Sequence, residues 1–392
     1  MLSLRVARGS AVTVLLRRLL VAAASAGTGF LLLSALGYAM GHPGHSAASA
    51  TRLAWCVVPF AAAVQVSVAV SRTEPSGRLH AGLAAAGLGR TGVPVLGAAT
   101  TALSCGLGSV IALLVFLRLR GGLAGLDGTA SGALGQDRPL PVAGVLTLLA
   151  AVPLLATAAS AASLWPRRTA PTAAASADAD DPGTRSAVTA PAGLSWGAAL
   201  TAIGLVIEVS TDDLRHSTAA DLLPLPGGLG QVAPAVLAGW VLTAAGMVLA
   251  GPGLVHACGR LLALHRPGVL RLLAGRALQE ESRRTGRPLA VLCAVASGAL
   301  AAIELNGTGS RPFGPLTGFA AALIAVCTVT AAVTAVIEAG RTREHSTAAL
   351  VQLGAPAGLL RAAAALRCAV VLAVAFPLAA VIAQLAASPL TA

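Results

Sequence analysis

The chain has 392 residues, of which 56% are hydrophobic and only 11% charged, and this excludes an ordinary soluble domain, where about a quarter are charged. Its formal charge of +12 comes from 27 basic residues, every one of them arginine. With a single Tyr there is no basic stripe interleaved with stacking aromatics, so nucleic-acid binding is the weaker reading of that charge. An all-α, polytopic integral membrane protein is the fold class that remains.

A helix needs about 20 apolar residues to cross about 30 Å of hydrocarbon. By that measure about nine candidate spans follow one another, at residues 19–40, 53–71, 93–117, 140–164, 193–209, 232–256, 288–305, 315–337 and 368–387. Residues 1–18 read as an amphipathic stretch at the inner interface. The apolar run after it is about twice a typical signal-peptide core, so it is expected to be an uncleaved first span. The loop at 41–51 is too short to fold by itself, and His42 and His45 within it have no third ligand nearby, so no metal site is expected. After the fourth span, residues 166–192 hold Pro171, Pro182, Pro191 and the acidic cluster Asp178, Asp180 and Asp181 without apolar periodicity. That composition predicts a disordered cytoplasmic linker. Between the fifth and sixth spans lies an external loop with Asp212, Asp213, Arg215, His216 and Asp221, read as solvated. Residues 269–284 place Leu270, Leu273, Ala274, Ala277 and Leu278 at helical spacing with Arg271, Arg276 and Arg283 elsewhere. This predicts a separate helix lying in the membrane interface, its arginines reaching for anionic headgroups.

Loops rich in arginine face the cytoplasm. With the N-terminus inside, the alternation assigns 21 arginines to the cytoplasmic side and leaves Arg52, Arg118, Arg120, Arg138, Arg215 and Arg311 outside. The C-terminus then falls on the extracellular side of the plasma membrane.

Between the last two spans the chain becomes polar at Glu338, Arg341, Arg343, Glu344 and His345, and then runs through Leu350, Val351, Gln352, Leu353 and Gly354 to Pro356. This predicts a short helix, N-capped by Ser346 or Thr347 and ended by Gly354 in a left-handed conformation, beyond which proline cannot continue it. The same unit occurs earlier. Leu83 to Gly87 overlie Leu350 to Gly354 at an offset of 267 residues, with Arg72 to Arg78 ahead of the first copy as Arg341 to His345 precede the second. Each copy follows one apolar segment and precedes another, and repetition of a whole topological unit is stronger than either motif alone.

This pattern resembles the FtsX-like permease family, the membrane subunits of MacB-type ABC transporters. In that family a short cytoplasmic coupling helix with an L-x-x-L-G-A core docks on the ATP-binding subunit. The resemblance places one coupling helix at about 74–90, with Arg78, Leu79, Leu83 and Gly87, and a second at about 341–355, with Arg341, Arg343, Glu344, Leu350, Leu353 and Gly354. It implies that the leucines anchor in a groove of the partner while the charged residues fix orientation. Two departures stand out. Neither repeat has room for the large extracellular domain of the family, and a tenth span, counterpart of the fourth, is absent.

No residue set points to catalysis. G-x-x-x-x-G-K-[ST] needs a lysine the chain lacks, and H-E-x-x-H and C-x-x-C are also absent. No enzyme, no catalytic residue and no cofactor bound by this chain are expected; ATP would be bound by a partner. The six cysteines read as small core residues. Glu208, Glu304, Glu338 and His256 fall near span ends, and without a mid-span acid a proton-coupled carrier is disfavoured. Pairs such as Gly193 with Gly197 and Gly314 with Gly318 suit close helix contacts.

The organisation expected is a first four-span repeat at 1–165, the linker at 166–192, two connecting spans at 193–256, and a second repeat at 257–392. The resemblance implies a permease subunit that couples ATP hydrolysis by a separate ATP-binding subunit to export or transmembrane signalling. Its other partners are the lipid bilayer and either a second copy or a second permease chain. An ATP-independent carrier and a non-transporting scaffold are the alternatives.

Overall fold

The computed structural model describes residues 2–44, 46–73, 92–120, 140–164, 193–210, 223–224, 231–232, 234–264, 268–307, 315–343, 348, 351–352, 354 and 356–391. Ten helices account for nearly all of them: α1 Leu2–Gly41, α2 Ser46–Trp55, α3 Val57–Thr73, α4 Gly92–Leu119, α5 Val142–Leu164, α6 Gly193–Ser210, α7 Pro234–Leu264, α8 Val269–Gly307, α9 Pro315–Thr342 and α10 Ala357–Thr391. Two strands of two residues, β1 Leu223–Pro224 and β2 Gln231–Val232, pair antiparallel between α6 and α7. Among the described residues, seven helical segments are long and apolar enough to cross a membrane. They correspond to the first four, the sixth, the eighth and the ninth expected spans. α6 is apolar but short, and α8 carries its charges within the helix.

The helices form where apolar runs leave the backbone to satisfy its own hydrogen bonds, which a hydrocarbon environment requires. Buried hydroxyls follow the same logic by bonding to a carbonyl of their own helix, as Thr28 does to Ala24 at 2.8 Å and Ser67 to Ala63 at 2.9 Å. α1 is the centre of the first bundle. It packs on α3, α4, α5 and α9, with Leu33 and Phe116 wholly buried at the α1–α4 contact. Phe30 meets Phe116 and Phe319 edge-on at 6.4 and 5.8 Å, joining α1 to α4 and α9. Leucines such as Leu103, Leu146 and Leu154 point outward, the arrangement expected of a lipid-facing surface.

Two helix triplets share a packing plan. α1 packs on α3 and α4, and α8 packs on α9 and α10, while the second and third helices of each triplet make little contact among the described residues. In both triplets the first and third helices run parallel. Ala22 and Gly29 lie beside Gly108 and Ala112, and Glu281 and Ala301 lie beside Arg367 and Ala383. The second helices, α3 and α9, pack against one another.

The segment expected as a separate interfacial helix, 269–284, differs from expectation. It continues through Pro288 into the following apolar run as one helix of 39 residues. The cause is tight packing along α7. A Cβ on Gly275 would lie 2.6 Å from the Gly259 carbonyl oxygen, and one on Gly286 would lie 2.5 Å from Cα of Pro252. Ala274 and Leu278, expected to face lipid, are buried against protein. α1 likewise runs unbroken from residue 2, without a separate stretch before the span. The first coupling helix, the 166–192 linker and the acidic residues at 212–221 lie outside the described residues.

Candidate coupling site

Arginine-bearing stretches of α1, α8 and α10 come together with the end of α9. The charges of Arg17 on α1 and Arg341 on α9 act on each other, and those of Arg367 on α10 and Arg284 on α8 act on Glu281. Arg341 is exposed at the end of α9. Two residues on, the chain turns, with the Arg343 amide donating to the Gly340 carbonyl at 3.2 Å. Of the expected second coupling helix, Ala348, Val351, Gln352 and Gly354 are described and exposed, Val351 at 52%. Gly354 has φ of +89°, the left-handed value that favours glycine, and its amide donates to the Val351 carbonyl at 3.0 Å. Pro356 follows, and its carbonyl accepts from Leu359 at 3.0 Å as α10 begins. Arg78, Leu79, Leu83, Gly87, Glu344, Leu350 and Leu353 lie outside the described residues.

Arg343 is turned inward. Its Nε pairs with the Glu281 carboxylate and its Nη2 donates to the Ala277 carbonyl at 2.7 Å. Both side chains of the ion pair are only 19% exposed. Burial pushes the Glu281 carboxyl up, against the opposing pull of Arg367 and Arg284. Sequence reasoning missed Glu281 because its local pattern offers only helical-spacing partners, whereas the partner found is 62 residues away.

The glycines of α6 and α7 form a second feature. Gly197 and Gly204 on α6 alternate with Gly239, Gly246 and Gly253 on α7, a spacing of seven residues and about two turns. A Cβ on Gly246 would lie 2.5 Å from the Thr201 amide nitrogen, so the two backbones touch. Gly318 has open space around it instead. Where the α6–α7 seam reaches Gly239 it encloses Glu208, whose side chain is 0% exposed. Thr243 Oγ1 donates to Glu208 Oε1 at 3.0 Å, and a Cβ on Gly239 would meet Glu208 Cγ at 2.8 Å. Glu208 is near a helix end, as expected, yet it is enclosed in protein rather than held at a surface.

At the end of the bundle away from Arg343, Arg52 lies 3.5 Å over the Tyr38 ring, and His42 stacks on that ring at 4.3 Å. Among the described residues no group of three or more His, Cys, Asp or Glu could hold a metal ion. Cys56, Cys105, Cys258 and Cys327 are buried, Cys293 is half-buried and Cys368 exposed. Apolar crevices lie between α7, α8 and α10, around Met247, Cys258, Cys293 and Val374, and between α1, α3 and α9, around Leu20, Val66, Leu323 and Thr330.

Comparison of the chain with protein-family models, with curated proteins and with solved structures gives no match.

Proposed function

We propose that the chain is the permease subunit of an ABC transporter of the FtsX-like type. About nine spans in two related halves lie in the plasma membrane, with the N-terminus cytoplasmic and the C-terminus outside. A separate ATP-binding subunit grips the two coupling helices, and its hydrolysis cycle drives export or a transmembrane conformational signal. The observation that carries this reading is the exposed Ala348, Val351, Gln352 and left-handed Gly354, which follow the point where arginine-bearing stretches of four helices converge. The shared packing plan of α1, α3, α4 and of α8, α9, α10 supports the duplication. Driving the spans from 1:99 to 99:1 between two states takes about 5.5 kcal/mol of differential contact. Two docking helices offer more area for that than one. The crevice walls suit an apolar substrate, whether lipid, hydrophobic drug or peptide.

One observation favours the ATP-independent carrier: enclosed Glu208, since an acid sequestered between two apolar helices calls for a functional reason. Affinity purification of the tagged chain from its native membrane, followed by mass spectrometry, tests the main reading. A near-stoichiometric ATP-binding subunit is expected. If none accompanies the folded protein, and Glu208→Gln abolishes substrate movement driven by a proton gradient, the carrier reading replaces it.

A further inference from the structure

We infer that Glu281 is a positioning residue for the coupling hinge, holding Arg343 on α8 so that force on the docking turn passes into the joined α7–α8 unit. This rests on the coupling reading above. Ala277 and Glu281 are one helical turn apart on α8, and the Arg343 guanidinium spans that turn, with Nε on the carboxylate and Nη2 on the Ala277 carbonyl at 2.7 Å. A planar fork reaches both acceptors at once, which an ammonium group on a flexible stem does not. The charge of Arg367 bears on the same carboxylate from α10. Glu281 therefore ties the end of α9, just ahead of the docking segment, onto α8.

What lies beneath the clamp makes it a transmission element. α8 around Glu281 cannot slide on α7, because Gly275 meets the Gly259 carbonyl and Gly286 meets Pro252 backbone to backbone. A pull on the hinge thus moves α7 and α8 together. Arg343 accordingly belongs to the interior of the protein and not to the docking face, where the resemblance placed it. Exposed Arg341 and Val351 are left to meet the partner.

The test is hydrogen exchange, read by mass spectrometry on the peptide covering 338–356, with the full chain in lipid nanodiscs. Glu281→Gln and Arg343→Gln each raise exchange about fivefold, as expected for loss of a modest ion pair. The double variant is no worse than either single one, because each residue acts through the other. Exchange in α4 serves as the fold control. An unchanged hinge in both single variants overturns the positioning role, and so does a double variant whose effect is the product of the two. The amount of co-purifying ATP-binding subunit is measured in parallel. A released hinge in a protein that never brings down such a subunit upholds the clamp and overturns the docking reading.

Discussion

The α6–α7–α8 unit and the seam between α1, α3 and α9 are both helix contacts in an apolar chain, yet they are built in opposite ways. In the first, glycines let backbone meet backbone, so that the helices have one register and no slack. In the second, α3 and α9 touch through Val66, Cys327, Ala331 and neighbouring small side chains. The difference teaches where movement is cheap. A seam of side chains can shift by changing rotamers, whereas a seam of backbones can only separate. Movement between the two triplets is therefore expected to carry α6 to α8 as one piece, with α9 sliding on α3.

Substitutions that fill the two seams break the comparison most severely. Gly246→Leu places a side chain where even a Cβ would be 2.5 Å from the Thr201 amide nitrogen, and no folded protein is expected from size-exclusion chromatography in detergent. Gly246→Ala should still fold, at a loss of about 1–3 kcal/mol typical of overpacking. Ala23→Leu, at the α1–α3–α9 groove, should leave the midpoint of thermal unfolding within a few degrees.

Glu208 comes next. Glu208→Ala removes the acceptor of Thr243 and opens a void in the α6–α7 seam, for a cost of about 2 kcal/mol. Glu208→Gln keeps the acceptor oxygen and should unfold close to the parent, so the thermal-unfolding difference between the two variants measures the hydrogen bond and the packing.

Acid acts on the hinge more gently. The Arg343–Glu281 pair needs a carboxylate, and burial pushes that carboxyl up. The clamp therefore releases as pH falls, and at a higher pH than for an ordinary glutamate. Exchange at 338–356, corrected for its intrinsic pH dependence, should rise across that window, and Glu281→Gln should flatten the profile.

The smallest effect has the opposite sign. Gly298 in α8 has nothing within 4 Å of a Cβ position, so Gly298→Ala should stabilise by about 0.5–1 kcal/mol through helix propensity. A rise in the thermal-unfolding midpoint would show it.

Much of the fold was legible because membrane-length apolar runs have few alternatives. Residues 140–164 were expected as a span and the helix is Val142–Leu164, and 315–337 became Pro315–Thr342. Gly354 was legible for a local reason, a glycine two residues before a proline at the end of a helical pattern. Two features were not. The continuity of α8 through Pro288 depends on Gly251 and Gly259 of another helix, which periodicity within residues 269–284 cannot report. Glu281 resembles any exposed glutamate in an arginine-rich segment until the hinge brings Arg343 onto it. Glu208 misled for a related reason. Its place near a helix end was read correctly, but its enclosure depends on Gly239 and Thr243 of the next helix.

The central claim is the proposal that the segment holding Leu350 and Leu353 docks an ATP-binding subunit. The direct measurement is the molar ratio of that subunit to the tagged chain after purification from native membranes, for the parent and for the Leu350→Asp, Leu353→Asp double variant at equal folded yield. The account predicts a ratio near one for the parent and loss of most of the subunit in the variant, since a charge cannot sit in an apolar groove without its hydration. A ratio unchanged by the two aspartates, or no ATP-binding subunit with the parent, would contradict it.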